Sequence, residues 1–244
     1  MDSVTLPDKL AAEIVDWSGV ASTIRDRGRI DIEVPGAALR VAIDGPRAAD
    51  PGAFAESLVG PLRVLGRPVV HIPAETFWRD AALRLEYGRT DLQSFANGWL
   101  DTDALRREVL VPVGPGGNGV FLPSLRDPLS NRATRDPPQV VEPGLILLIS
   151  GELLLGRDLP FDYTIHLALS SAARRRRTPE EWQWTLPAYD DYSAAVDPLR
   201  SADVVLRYDD PAHPAIRIPP AARDSDRATA RSGTVPSRRA SEPA

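Results

Sequence analysis

The stretch that most constrains the fold is residues 39–65, LRVAIDGPRAADPGAFAESLVGPLRVL. Residues 39–43 are mostly apolar, which predicts a short buried strand. A tight turn with Gly45 and Pro46 follows. The segment after the turn predicts a helix, which Pro61 should kink or end early. Its apolar side chains recur at helical spacing and should face the core: Phe54, Leu58, Leu62 and Leu65.

The turn stands where a phosphate-binding loop would stand, but it lacks that loop's functional residues. In the Walker A pattern, G-x-x-x-x-G-K-[ST], backbone N–H groups cradle the phosphates, the Lys neutralises them and the hydroxyl ligates Mg²⁺. Counted from Gly45, the last three positions are Asp50, Pro51 and Gly52. Arg47 is the only cation in the turn, and Arg does not replace Lys freely at a tight phosphate site. We interpret the turn as mainly structural, although Gly45, Gly52 and the helix N-terminus still offer N–H groups to an anion.

The composition indicates a soluble, cytoplasmic protein. The chain has 244 residues, a net charge of −5 and no cysteine, which excludes disulfides and thiolate zinc sites. Residues 219–244 carry a net charge of +2, which leaves −7 for the rest of the chain and argues against nucleic acid as a partner. The first nine residues lack the apolar core of a signal peptide. The longest apolar run, residues 145–149, is too short to span a membrane.

Short apolar segments alternate with helical ones, which predicts an α/β protein with a doubly wound, mostly parallel sheet. The predicted strands are residues 29–34, 39–43, 68–72, 120–122, 145–149, 163–169 and 203–208, the last being the final strand. The predicted helices include residues 7–27, 102–110 and 172–177, and one that starts with Thr178 as its N-cap. Residues 126–143 should be irregular. We expect an N-terminal helix and connection at 1–36, the α/β domain at 37–218 and a disordered tail at 219–244.

Polar and aromatic residues follow two of these strands, at the end where α/β proteins place ligand groups. After residues 68–72 come Glu75, Phe77, Trp78 and Arg79, and after residues 145–149 come Ser150, Gly151 and Glu152. An ordinary loop anchored by two aromatic side chains is the alternative. His166 is interpreted as structural, and no second His or Cys lies near enough in sequence to predict a metal site.

Four consecutive arginines begin at Arg174. They form either a solvated helix end, favoured by the helix dipole, or a lid whose arginines pair with phosphate. The candidate lid residues are Arg174, Arg175 and Arg176.

Five stretches, in the right order, resemble the uridine kinase family of P-loop nucleoside kinases. They are RVAIDGP (40–46), GRPVVHIPAETFWR (66–79), DTDALRREVLVPVGPGG (101–117), LILLISGELLLGRDL (145–159) and LRSADVVLRYDDPAHP (199–214). The resemblance implies a P-loop NTPase fold over about residues 39–216. The chain departs from the family at its functional positions. The loop's Gly-Lys-Thr is Asp50-Pro51-Gly52, an acidic D-D-F-H-R-like motif keeps Glu75, Phe77 and Arg79, and the Asp of a V-D-G-like motif is Ser150.

The resemblance therefore implies a pseudokinase, a ligand-binding or interaction module with no cofactor. The base of a nucleoside or nucleotide ligand would stack on Phe77 or Trp78, and a sugar hydroxyl would donate a hydrogen bond to Glu75. Arg79 would hold a phosphate or carboxylate. The alternative is an active nucleoside kinase that uses ATP and Mg²⁺, with Glu75 as the catalytic base and Arg47 or a lid arginine replacing the Lys. A third interpretation is a protein partner or homo-oligomer that docks through residues 7–27 and the Trp182/Trp184 segment.

Overall fold

A six-stranded sheet organises the computed structural model, which describes residues 5–26, 37–211 and 214–217. The strands are β1 (Leu39–Asp44), β2 (Val69–Pro73), β3 (Val120–Phe121), β4 (Gln139–Val140), β5 (Ile146–Gly151), β6 (Tyr163–Ala168), β7 (Val204–Arg207) and β8 (Ala215–Arg217). The order in the main sheet is β2-β5-β1-β6-β7-β8. The first five of these strands are parallel, and β8 is antiparallel to β7. Strands β3 and β4 form a separate antiparallel pair.

Helices cover both faces of this sheet. They are α1 (Leu6–Asp26), α2 (Pro51–Val64), α3 (Ala81–Arg84), α4 (Thr102–Leu105), α5 (Ser171–Arg177), α6 (Leu186–Val196) and α7 (Pro198–Ser201). Short 3₁₀ helices span Arg47–Ala49, Ala74–Phe77 and Glu180–Thr185, and π-helical turns span Ser94–Gly98 and Arg106–Leu110. No helix among the described residues is long and apolar enough to cross a membrane.

The core lies on both sides of the sheet because alternate residues of each strand point to opposite faces. Along β5, Ile146 and Leu148 pack with α1 and α2, whereas Leu147 and Ile149 pack on the other face. This two-sided burial explains why the strand is an unbroken aliphatic run. The apolar face of α1 also lies in the core, where Leu10 and Ile14 are fully buried. The prediction of a doubly wound, mostly parallel sheet is confirmed.

Several local expectations differ from the structure. Helix α2 continues past Pro61 to Val64, and Leu65 follows it with 46% of its surface exposed, so it does not face the core. The hydroxyl of Thr178 donates to the carbonyl of Arg174, so it closes α5 instead of capping the next helix. Pro179 stands at the N-cap position of a 3₁₀ helix.

Two strands occur where the sequence predicted none. Residues 126–143 contain β4, which pairs with β3, and β7 is followed by β8. Such short strands are stabilised by pairing with another strand, and two or three residues show no local pattern that reveals this pairing. The predicted strand 29–34 and the tail 219–244 lie outside the described residues.

Candidate functional site

The candidate site is a cavity of about 190 Å³ at the carboxyl edge of the sheet, where β1, β2 and β5 end. It is lined by Arg47, Asp50, Pro51, Gly52, Pro73, Ala74, Glu75, Trp78, Phe95, Trp99, Leu100, Ser150, Gly151, Glu152, Leu153 and Arg157. Gly151 lets the end of β5 approach the loop after β2, since a Cβ there would lie 2.8 Å from that of Ala74. The fold therefore brings together the turn after β1, Glu75, Trp78 and the end of β5.

The side chain of Asp50, in the loop after β1, occupies the N-terminus of α2. Asp50 has a left-handed backbone (φ 51°), and its carboxylate accepts a hydrogen bond from the N–H of Ala53 at 3.0 Å. Pro51, the first residue of α2, has no N–H. A negative side chain thus occupies the helix end that binds phosphate in a P-loop.

Arg47 interacts with Glu152 and with the ring of Trp182. One of its guanidinium nitrogens lies 2.8 Å from Glu152 Oε1, and the guanidinium lies 4.0 Å from the centre of the Trp182 ring. Glu152 also accepts a hydrogen bond from the hydroxyl of Tyr189. Burial raises the pKa of Glu152, while the positive charge of Arg47 opposes that rise. The arrangement ties the loop, the end of β5 and the segment before α6 together.

The residues after β2 separate into three locations. Glu75 and Trp78 line the cavity, but Phe77 is only 1% exposed and packs in the core beneath the sheet. Arg79 lines a different, open groove of about 550 Å³ beside Tyr87. Phe77 therefore presents no ring to a ligand in the cavity, and Arg79 lies outside it.

A wall of aromatic rings closes one side of the cavity. Trp99 lies in edge-to-face contact with Trp78 (5.2 Å between ring centres) and with Phe95 (5.3 Å). The indole N–H of Trp99 is buried and has no hydrogen-bond partner among the described residues. Arg157 also lines the cavity, donates to the carbonyls of Leu153 and Ala96, and has its pKa lowered by burial. Sequence reasoning missed these residues, because only folding brings residues 95–99 to the end of β5.

Asp44 is a buried carboxylate that sequence reasoning also missed. It is fully buried at the end of β1, and it accepts hydrogen bonds from the N–H of Leu154 at 2.8 Å and from the hydroxyl of Tyr192 at 2.9 Å. His166 Nδ1 lies 2.7 Å from the same carboxylate. The signal in the sequence was an acid directly after an apolar strand. His166 is thus a buried, hydrogen-bonded histidine.

The candidate lid arginines lie away from the first cavity. Arg174 is buried, forms an ion pair with Asp190 and lines a second cavity of about 80 Å³ with Gly45, Pro46 and His166. Arg175 and Arg176 are exposed. Among the described residues, no group of three or more His, Cys, Asp or Glu side chains is arranged to hold a metal ion.

Ser150 belongs to a hydrogen-bonded series at the cavity wall. Its hydroxyl lies 2.8 Å from His71 Nε2, and His71 Nδ1 lies 2.6 Å from a carboxylate oxygen of Glu56. The sequence did not indicate this series, since its members come from α2, β2 and β5.

The comparison with solved structures identifies the architecture. A possible uridine kinase from Bacillus stearothermophilus aligns over 80% of this chain and 97% of its own, with a TM-score of 0.57 and 18% identity. A candidate fructose transport system kinase from Silicibacter sp. TM1040 aligns over 74% and 95%, with a TM-score of 0.51 and 19% identity. The fold is that of the P-loop kinases. No protein-family model and no curated relative match the sequence.

Proposed function

We propose that this P-loop kinase-like chain is a cytoplasmic pseudokinase that binds a small, hydroxyl-bearing ligand without transferring phosphate from ATP. The observation that carries the proposal is the Asp50 carboxylate on the N-terminus of α2. Phosphoryl transfer depends on a loop that neutralises phosphate charge. Here that position carries a negative charge, and the nearest cation, Arg47, is paired with Glu152.

The cavity's chemistry supports a nucleoside as the first ligand to test. The carboxylates of Glu75 and Glu152 are acceptors for sugar hydroxyls, and Trp78 and Trp99 line the same cavity as an aromatic wall for a base. The unpartnered N–H of Trp99 would bond a carbonyl or ring nitrogen of that base. The fold likeness to a possible uridine kinase favours the same class of ligand.

An active nucleoside kinase is the second candidate, and one observation favours it. Glu75 and Arg47 line the same cavity, as a general base and a substitute cation would have to. Mg²⁺-dependent phosphate transfer from ATP to uridine that Glu75→Gln abolishes would establish this candidate.

The test of the proposed binding is calorimetric titration of the full chain with uridine and cytidine. We expect heat from at least one nucleoside and its loss in Glu75→Ala, while the matched control Glu86→Ala, an exposed acid outside the cavity, should bind as the unmodified protein does. Binding that survives Glu75→Ala unchanged, or no binding of either nucleoside, would contradict the ligand assignment.

A further inference from the structure

The series Ser150, His71 and Glu56 has the order of a nucleophile, a base and an orienting carboxylate. The separations of 2.8 Å and 2.6 Å lie within the hydrogen-bonding range of such groups. In the neutral imidazole the proton lies on Nδ1, because the carboxylate of Glu56 can only accept. Nε2 is then free to accept the proton of the Ser150 hydroxyl. This is the proton arrangement of a Ser-His-acid triad.

The secondary structure places these groups securely. Pro73 of β2 pairs with Ser150 of β5, and His71 lies two residues earlier on the same face of the sheet. Helix α2 covers that face and supplies Glu56. Both Ser150 and His71 are fixed by strands in the sheet, so the hydrogen bond between them does not depend on a mobile loop.

Ser150 also meets the cavity and the N-terminus of α2. It is 3% exposed and lines the cavity wall. A Cβ on Gly52 would lie 3.9 Å from its hydroxyl oxygen, so the first turn of α2 is beside the nucleophile. Pro51 lacks an N–H and the N–H of Ala53 is used by Asp50, which leaves the N–H of Gly52 as the donor at this helix end. That N–H can donate to an oxyanion, while the carboxylate of Asp50 at the same helix end opposes the negative charge.

We propose that Ser150 is an activated nucleophile and that the cavity hydrolyses a small, uncharged carboxylic ester. The Ser150 oxygen would attack the ester carbonyl as its proton passes to His71 Nε2. Collapse of the tetrahedral intermediate breaks the bond to the alcohol, which leaves with that proton, and the acyl group stays on Ser150. Water, deprotonated by His71, then releases the carboxylic acid and restores the serine.

The charges and walls of the cavity select the substrate class. Asp50, Glu75 and Glu152 disfavour an anionic substrate, whereas Trp78 and Trp99 favour a compact apolar or aryl group. This inference goes beyond the proposed binding function and does not depend on a nucleoside being the ligand. If the hydrogen bonds among Ser150, His71 and Glu56 were purely structural, their geometry would be the same, but Ser150 would not react with an ester.

The first test is covalent labelling of the full-length protein with a fluorophosphonate, followed by peptide mass spectrometry. We expect one modified serine, Ser150, and loss of labelling in Ser150→Ala, with full labelling of the control Ser57→Ala, an exposed serine on α2. No labelling of the unmodified protein, or labelling that Ser150→Ala leaves unchanged, would overturn the proposal.

The second test is the steady-state hydrolysis of p-nitrophenyl acetate. His71→Gln should lower kcat about 100-fold or more, as removal of a general base does. Glu56 is a positioning residue and its side chain is 66% exposed, so Glu56→Gln should fold normally and lower kcat about tenfold with KM unchanged. Glu56→Asp should restore part of the rate. Equal rates in Glu56→Gln, His71→Gln and the unmodified protein would contradict the proposal even if Ser150→Ala did not fold.

Discussion

Asp50 gives the N-terminus of α2 both a stabilising cap and a negative charge. Its carboxylate caps α2 through Ala53, an interaction typically worth about 1 kcal/mol to a helix. The same charge opposes an incoming phosphate, since two like charges 4 Å apart repel by about 1 kcal/mol in water and about 4 kcal/mol near a protein surface. At this position stability and phosphate binding therefore have opposite requirements.

The stability of the protein should fall as pH rises through the titration of Glu152. Burial raises the pKa of this carboxyl in the folded protein, so the folded state holds the proton more readily than the unfolded state does. The resulting stabilisation is complete below the unfolded pKa of about 4.3 and is lost as pH rises through the higher folded value. Urea unfolding across this range should give a flatter pH dependence for Glu152→Gln than for the unmodified protein.

The matched control for that experiment is Glu86→Gln, which changes an exposed acid. Its pH dependence should follow that of the unmodified protein. A Glu152→Gln curve parallel to both would show that Glu152 does not titrate differently on folding.

The 3₁₀ helix Glu180–Thr185 packs against the turn after β1 by placing Trp182 over the guanidinium of Arg47. A cation over an indole face contributes about 0.5–2 kcal/mol. A double-mutant cycle of Arg47→Ala and Trp182→Ala, measured by urea unfolding, should therefore give a coupling free energy in that range. The control cycle pairs Arg47→Ala with Trp17→Phe in α1 and should be additive. A Trp182 cycle that is equally additive would show that this contact contributes nothing to stability.

Helix α6 is tied to the sheet by the hydroxyl of Tyr192, which donates to Asp44 and accepts from the N–H of Leu155. Tyr192→Phe leaves the buried carboxylate of Asp44 with one donor fewer. We expect a loss of about 1–3 kcal/mol in the free energy of unfolding. The control Tyr87→Phe changes an exposed tyrosine and should alter stability by less than about 0.5 kcal/mol. Equal effects of the two changes would show that this tether contributes nothing.

Elements with a strong local pattern could be predicted from sequence, and those that depend on distant partners could not. The strand LILLI was evident, because burial on both faces requires a continuous aliphatic run. Strands β4 and β8 were missed since two or three residues carry no periodicity of their own. The capping role given to Thr178 was wrong because its hydroxyl bonds backward, to the carbonyl of Arg174.

The candidate site was predictable where ligand groups follow strand ends and unpredictable elsewhere. Glu75, Trp78 and Ser150 follow β2 and β5, and parallel strands bring those ends to one edge. Trp99 and Glu56 reach the same region from other segments of the chain. Their placement follows from tertiary packing, which no local pattern encodes.

The whole molecule has a kinase-like fold, and the turn after β1 lacks the residues of the Walker A pattern. Introducing the Walker A residues tests whether the composition of this turn sets the affinity of the protein for ATP. The changes are Asp50→Gly, Pro51→Lys and Gly52→Thr, which recreate the pattern that starts at Gly45. Threonine fits at position 52, because a Cβ there makes only ordinary contacts of 3.6 and 3.9 Å.

The most direct measurement is calorimetric titration of the unmodified protein and of this triple variant with Mg²⁺-ATP. We predict no binding heat from the unmodified protein and binding in the millimolar range or tighter from the variant, with circular dichroism confirming that both are folded. Binding of Mg²⁺-ATP by the unmodified protein, with an affinity equal to that of the variant, would contradict the account.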